Sequence, residues 1–526
     1  MTVRWQRALA MVVIAGLIVA MAGCVAKPGT PATSDRPVTG GVLTFVQGAD
    51  PVTLDVHRTT EFMSYRVTSQ IYENLIMLGT DGTPKPGLAE SWQMSPDGLS
   101  CTLKLRQGVK FTDGTVFDAA AVQANVDRIL KTTPALPARR LLADVKNLEV
   151  IDAHTIRFDL SKPLSLFPYY LSHPSVGMIS PRALSELVDQ LPTTTVGTGP
   201  FVLKEWVPKD RVILNRNEDY WGQPAWVDQV IFRPAPEAAT RTVMLESGEA
   251  DIVANVPPAM VSRLRANPAV EVLVAPYARV TFIALNNYRG ITADPKVRQA
   301  LNHAVDKQAI LERILFGIGV VSDAPVASGV EGYSRVGTYQ YNVARARQLL
   351  AEAGVAPGTK VTFFTPSGRY LMDYEIAQAV QGYLTEVGLD VSLETLEWAA
   401  FLSNVSKVPD ESIFDLALLS FAPGTNDPDW HYSNMFHSAS WAPKSNNRCF
   451  FADPRVDELL ELARQKPSAA ERAPLYEQVN KIVFDLAPWI FLHEEQQIYG
   501  LSLRVQGVEP APTEMVYLKD AWLKVK

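Results

Sequence analysis

The chain predicts a mixed α/β fold divided into more than one domain. Its 526 residues far exceed what a single hydrophobic core holds. Period-two strand patterns and helix-period patterns alternate irregularly along it, separated by Gly, Asp and Asn turn signals. No internal repeat interrupts that alternation.

Arg4 and Arg7 precede an apolar run, Ala8–Ala22, that ends in Gly23-Cys24. A basic start, a short apolar core and small residues before the cut read as a signal peptide over 1–23. The run is shorter than the ~20 residues that cross a bilayer core. Lys27–Gly41 is rich in Pro, Thr and Gly, so residues 24–41 read as a flexible tether.

Gly41–Val46 is the first expected strand and Met63–Leu78 a helix. The stretch from Pro86 to Leu130 is the most informative. Asp97-Gly98 and Asp113-Gly114 are turn signals, and Cys101, Leu103 and Leu105 alternate with Thr102, Lys104 and Arg106 as in a half-buried strand. Asp118 then caps a helix whose apolar residues Val122, Val126, Ile129 and Leu130 recur at helical spacing. Further strands are expected at Thr155–Leu160, a hairpin within Val196–Asn217, Val227–Phe232, Ala250–Val253 and Val280–Asn287. A helix begins at Ala238–Leu245. Beyond these lie helices at Asp294–Phe316, Asn342–Ala353, Asp373–Val387, Asp453–Arg464 and Ala469–Phe484. They are interleaved with strands at Lys360–Phe364, Val391–Leu396 and Phe414–Leu419. The tail, Trp489–Leu492 and Val516–Val525, returns to strand patterning.

The formal charge of −7 becomes −9 once Arg4 and Arg7 leave with the leader, which argues against nucleic acid and against a polybasic membrane patch. Of the three cysteines, Cys101 and Cys449 remain if Cys24 is modified. They can pair in an oxidising compartment, or Cys101 stays a buried thiol on the apolar face of its strand. His493-Glu494-Glu495 begins like a zinc-protease motif, but position 497 is Gln497 and not histidine. There is no G-x-S-x-G, P-loop or Rossmann glycine pattern. No catalytic residue, resident metal or cofactor is expected.

The segments PGLAESW (86–92), SPDG (95–98) and LRQGVKFTDG (105–114) together resemble the family 5 extracellular solute-binding proteins, the peptide, glutathione and nickel receptors of bacterial ABC importers. LDVHRTTEFMSYRVTSQIYENLI (54–76), GTGPFVLKEW (197–206), RNEDYWG (216–222), FIALNNYRGITADPKVRQALNHAVDKQAI (282–310), ARQLLAEAG (346–354) and DPRVDELLELAR (453–464) continue the resemblance in family order. It implies a two-lobe periplasmic-binding-protein-like clamp of type II, in the large cluster with an extra subdomain. Lobe I would take 42–282, with the extra subdomain near 60–190; lobe II would take 283–488, and 489–526 would return to lobe I. Hinge segments are expected at Ala284–Asn287 and Leu486–Leu492. Met21–Cys24 resembles a lipobox, with Cys24 lipidated and Met21 in place of the usual Leu. The implied protein is a monomeric, non-enzymatic lipoprotein facing the periplasm or cell exterior. It would bind a di- or oligopeptide or glutathione-like solute and hand it to a permease and ATPase. A metal-chelate, opine or oligosaccharide cargo, or a secreted enzyme or sensor on the same scaffold, stays open.

The resemblance also points to site residues, each with a plainer reading beside it. Ser420–Trp430 would lie in the cleft, with Phe421, Thr425, Asn426, Asp427, Asp429 and Trp430 offered to ligand, or it is a well-capped turn. Peptide-binding members carry an Asp three residues before the Asp-Pro; here that position is Gly424, which weakens a standard amine anchor. Arg369, in a loop between strand and helix, can grip a carboxylate with paired hydrogen bonds or sit idle on the surface. Asn286 and Asn287 either bond ligand or cap the hinge. Glu61, Phe62, Met63 and Tyr65 start a helix at the cleft mouth, and Trp398 either stacks on ligand or packs in the core.

Overall fold

The computed structural model describes residues 36–59 and 61–524. The expected signal peptide, the lipidation site Cys24 and most of the tether lie outside them. One eleven-stranded sheet runs through the described chain. In spatial order its strands are Asp390–Leu396, Lys360–Pro366, Leu416–Phe421, Val270–Leu285, Trp489–Ser502, Ile252–Ala254, Val42–Gln47, Gln229–Pro234, Arg211–Arg216 and Phe201–Val207. The short strand Val320–Val321 pairs beside Trp489–Ser502.

Two long antiparallel strands, Val270–Leu285 and Trp489–Ser502, join the two halves of this sheet. Their pairing runs from Val270 opposite Ser502 to Ala284 opposite Trp489, with irregularities between Pro276 and Val280 and between Thr281 and Phe282. At the first break the neighbours change. Residues 252–254 pair with 499–501 on one side, whereas Val280–Leu285 pair with Leu416–Phe421 on the other. The sheet therefore passes between halves at Pro276–Val280 and Glu494–Gln496, several residues away from the expected Ala284–Asn287 and Leu486–Leu492. Both expected segments lie inside the second half, paired or capped within its core.

Strand alternation decides which core each residue enters. In the second half Ile283, Leu285, Leu416, Leu418, Ile490 and Leu492 face helices Pro295–Ala304, Lys307–Arg313, Val343–Glu352 and Asp373–Glu386. Their neighbours Phe282, Ala284, Ala417, Leu419, Trp489 and Phe491 face helices Pro428–Phe436, Pro454–Arg464 and Ala469–Leu486. Burial on both faces suits the near-continuous apolar runs of these strands. The first half splits likewise: Leu43 and Phe45 enter one core and Val46 the other.

A separate four-stranded antiparallel sheet, Ala89–Met94, Ser100–Leu105, Thr155–Leu160 and Val145–Asp152, lies within the stretch expected as the extra subdomain. Here the local reading holds: Cys101, Leu103 and Leu105 are buried, and Asp118 accepts the Ala121 N–H at 2.9 Å to cap helix Ala119–Lys131. Cys101 and Cys449 are both free and buried, in different cores.

Several expected elements differ, among them the strand at 280–287, which spans Val270–Leu285. The helix at 63–78 ends after Thr68. The carbonyls that would continue it are taken from elsewhere: Gln70 by Phe201, Ile71 by Gly199, Glu73 by Met178, and Asn74 and Leu75 by Leu88 and Ala89. A Cβ on Gly197 would lie 2.1 Å from the Ile71 carbonyl oxygen, so only glycine allows that approach. The helix at 294–316 is two helices, because Asp306 caps the second by accepting the Ala309 N–H. In the tail, among the described residues of the expected 516–525, only Trp522–Leu523 is strand.

Candidate functional site

A cavity of about 440 Å³ lies where the sheet passes between the halves. The first half contributes Phe62 and Met63 from a helix start, Arg241, Asn255–Pro257 and Glu514. The paired strands supply Tyr277, Arg279 and Glu495–Ile498, and the second half supplies Arg369, Tyr370 and Leu371. The volume sits near the lower end of the ~300–1,000 Å³ usual for small-molecule sites.

Its charges are unevenly committed. Glu514 accepts from the Tyr277 hydroxyl and from Arg66 Nη2 at 3.3 Å. Glu495 Oε1 accepts from Thr281 Oγ1 and Ser420 Oγ, each at 2.7 Å. Arg241 donates to the carbonyls of Ala235, Pro236, Ala254 and Asn255, with no carboxylate among its partners. Burial, then the nearby Arg66 charge, hold its guanidinium below the usual range. Arg279 donates from Nη2 to Tyr277 Oη at 2.6 Å, and its Nε lies 3.9 Å from Glu495 Oε2 without a hydrogen bond. Arg369 makes no ion pair among the described residues; its guanidinium lies 5.0 Å from the Trp398 ring and 5.2 Å from the Tyr370 ring.

Contacts between residues 82–170 of the first half and the second half close the gap between them. Asn426 Nδ2 donates to the carbonyls of Gly82 and Gly329 at 3.0 and 3.1 Å. Tyr169 Oη donates to Glu331 at 2.9 Å, and Ser165 Oγ donates to the Arg464 carbonyl at 3.0 Å. Trp430 packs edge-on against Tyr170, with Arg140 over its ring.

Residues 83–443 match the family described as bacterial extracellular solute-binding proteins, family 5 Middle. The chain belongs to that family. Its members are the receptors of ABC importers, and this solute-binding protein has their fold. The glutathione-binding protein GsiB of Salmonella typhi is 31% identical to it over 480 residues, covering 91% of this chain and 93% of GsiB. The periplasmic binding protein DppA of Helicobacter pylori, solved with the peptide STSA, is 27% identical with a TM-score of 0.77, over 93% of this chain and 99% of that one. HbpA2 of Haemophilus parasuis is 26% identical with a TM-score of 0.84, over 92% and 100%. Among the described residues, no helix of this solute-binding protein is long and apolar enough to cross a membrane.

The structure brings Phe62, Met63 and Arg369 into the cavity of the receptor. Trp398 stands behind Arg369 and packs edge-on against Tyr370. Glu61 is occupied as a helix cap, accepting from the N–H groups of Met63 and Ser64, and the Tyr65 hydroxyl donates to the Thr59 carbonyl. Neither lines the cavity.

Asn286 is fully buried and bonds Ser412 and Phe414, and Asn287 donates to the Leu285 and Cys449 carbonyls. Both amides therefore brace the second core and do not face the cavity. The loop residues Phe421, Thr425, Asn426, Asp427, Asp429 and Trp430 also lie outside the cavity lining. Phe421 packs edge-on against the His431 ring, and most of the others sit at the closing contact. Asp427 caps helix Pro428–Phe436 and accepts from Thr425, while Asp429 pairs with Arg464 at 2.9 Å. Burial, then the adjacent Asp429, push the Asp427 carboxyl up to about 7. Gly424 faces His173, whose Nε2 would lie 3.4 Å from an added Cβ.

Sequence reasoning missed Tyr277, Arg279, Arg241 and Glu514. A signal existed for one of them: Arg279 is the only cation in the long apolar strand Val270–Leu285. Starting the expected strand at Val280 left it out.

Proposed function

We propose that this chain is a monomeric, lipid-anchored receptor that captures a small peptide-like solute by closing its lobes and delivers it to an ABC permease. Cys24 carries the lipid, and residues 24–41 tether the folded part to the membrane; two acyl chains would anchor it stably. Lobe I is 42–275 with 497–526 and lobe II is 281–493, with hinge segments at Pro276–Val280 and Glu494–Gln496. The observation that carries the reading is the unpaired Arg369 guanidinium on the second half, facing a cavity walled largely by the first. A ligand carboxylate on Arg369 would favour the closed state through its differential contact with lobe II. The names of the relatives agree in chemistry, since GsiB is described as glutathione-binding and DppA was solved with a peptide.

A thermal-shift screen of peptides, glutathione, sugars and metal chelates tests the cargo. A ligand at 100 times its dissociation constant adds ~2.7 kcal/mol of stability. A shift with sugars or chelates and none with peptides or glutathione overturns the peptide-like assignment. Fatty-acid labelling that persists in a C24S variant overturns the anchor.

A further inference from the structure

Around the cavity, donors and acceptors do not balance. Both lining carboxylates have partners: Glu514 has Tyr277 and Arg66, and Glu495 has the Thr281 and Ser420 hydroxyls on Oε1 and Arg279 at 3.9 Å from Oε2. Glu61, next to the cavity, is occupied by its helix cap. The cations differ. Arg241 is held by four backbone carbonyls and makes no ion pair among the described residues. Arg279 is only 13% exposed; it makes one hydrogen bond, to the Tyr277 hydroxyl, and its buried Nε has no hydrogen-bond partner, with Glu495 Oε2 as a loose ion-pair partner 3.9 Å away. That hydroxyl cannot turn to serve a ligand, because its proton goes to Glu514. Arg369 is unpaired. Three guanidinium groups thus line a cavity with two carboxylates, of which Glu514 is paired with Arg66 outside the lining and Glu495 lies opposite Arg279, so positive charge is in excess. A buried guanidinium with unmet donors is costly unless an anion completes it.

We infer that Arg279 is a second anion subsite, separate from Arg369, and that the ligand is net anionic: a compact solute with more carboxylates than amines. This rests on the cavity being the ligand site, as proposed above. It sharpens the cargo from any small peptide to acidic ones. Arg241 adds a fixed positive charge to the cavity wall, and Tyr277 links Arg279 to Glu514. A neutral zwitterion would satisfy Arg369 and leave the Arg279 donors unmet, and unpaired polar groups of this kind are what discriminate between otherwise similar ligands.

Calorimetric titration of the purified full-length protein with two matched pairs tests this. One pair is the tripeptides Glu-Ala-Gly and Gln-Ala-Gly; the other is glutarate and glutaramate. Each pair is alike in shape and differs by one carboxylate. The acidic member of a pair should bind at least about tenfold more tightly, a preference that weakens with added salt. R279Q should cut the preference below about threefold, R279K should keep it, and R369Q should weaken both members alike. Equal affinity within both pairs overturns the inference while leaving the peptide reading intact. A preference for glutarate that depends on Arg279, with no binding of either tripeptide, upholds the inference and removes the peptide reading. Binding of none of the four overturns both.

Discussion

Replacing Asp427 with asparagine removes a buried charge and leaves a helix cap in place. The Asp427 side chain is fully buried at the closing contact. One oxygen accepts the Trp430 N–H at 2.8 Å and the other accepts from Thr425 Oγ1. The guanidinium groups of Arg464 and Arg472 are paired instead to Asp429 and Glu331. Burial, then Asp429, raise the Asp427 carboxyl from 3.8 to about 7. At ~1.4 kcal/mol per pH unit that displacement is worth ~4 kcal/mol. Asp429 and Glu331 share the repulsion, so about 2 kcal/mol is expected from Asp427 itself.

The sign follows from proton binding. Between about 4 and about 7 the folded protein holds this proton more often than the unfolded chain does. Stability from the group is therefore greatest at acid pH, declines as pH rises through that window, and stays low above it. Asn caps a helix about as well as Asp. D427N should therefore be the more stable protein by ~2 kcal/mol at about pH 8, with the gap closing near pH 4. Urea denaturation of both proteins across that range, followed by circular dichroism, measures the difference. His57, His173, His431 and His493 are held low by burial and act in the opposite direction as pH falls below about 6.5, so the gap between the two proteins is diagnostic and neither curve alone is. A D427N protein less stable than the wild type at about pH 8, or a gap that does not vary with pH, refutes the reasoning.

Arg369→Ala should weaken binding of a carboxylate ligand by about 1.5–3 kcal/mol, the worth of a charged hydrogen bond, read by calorimetry; unchanged affinity removes Arg369 from the site. Gly82→Ala should weaken ligand binding about tenfold without touching the cavity, because Gly82 has φ +76 and an added Cβ would lie 2.5 Å from Asn426 Nδ2 at the closing contact. Titrated affinity equal to that of the wild type would show that the contact does not govern closure. Asn286→Ala should lower stability by ~1–3 kcal/mol through the unmet Ser412 and Phe414 partners, with ligand affinity unchanged. A thiol reagent should find neither Cys101 nor Cys449 in the native protein and both in denaturant, since both are buried and unpaired.

The local elements were legible because their causes are local. Asp118 and Asn342 cap the helices that follow them within three residues, and the alternation through Cys101, Leu103 and Leu105 needs only one strand to be read. The helix expected at 63–78 failed for the converse reason. Its carbonyls are claimed by residues between Leu88 and Phe201, and no window around Gln70 reveals that competition. The site divides along the same line. Arg369 is conspicuous as a cation in a loop between strand and helix. Asp427 and Asn426 looked like ligand groups, and in three dimensions they are a helix cap and a contact between the two halves.

From residue order alone came the α/β class, the family and most element boundaries, because periodicity and turn chemistry act over a few residues. Tertiary structure alone decided which polar groups remain uncommitted. Glu514 is occupied by Arg66, 448 positions away, and Glu495 by Thr281 and Ser420 at separations of 214 and 75. Whether a carboxylate or a guanidinium is available to a ligand depends on such distant partners, so the charge balance of the cavity exists only once the chain has folded.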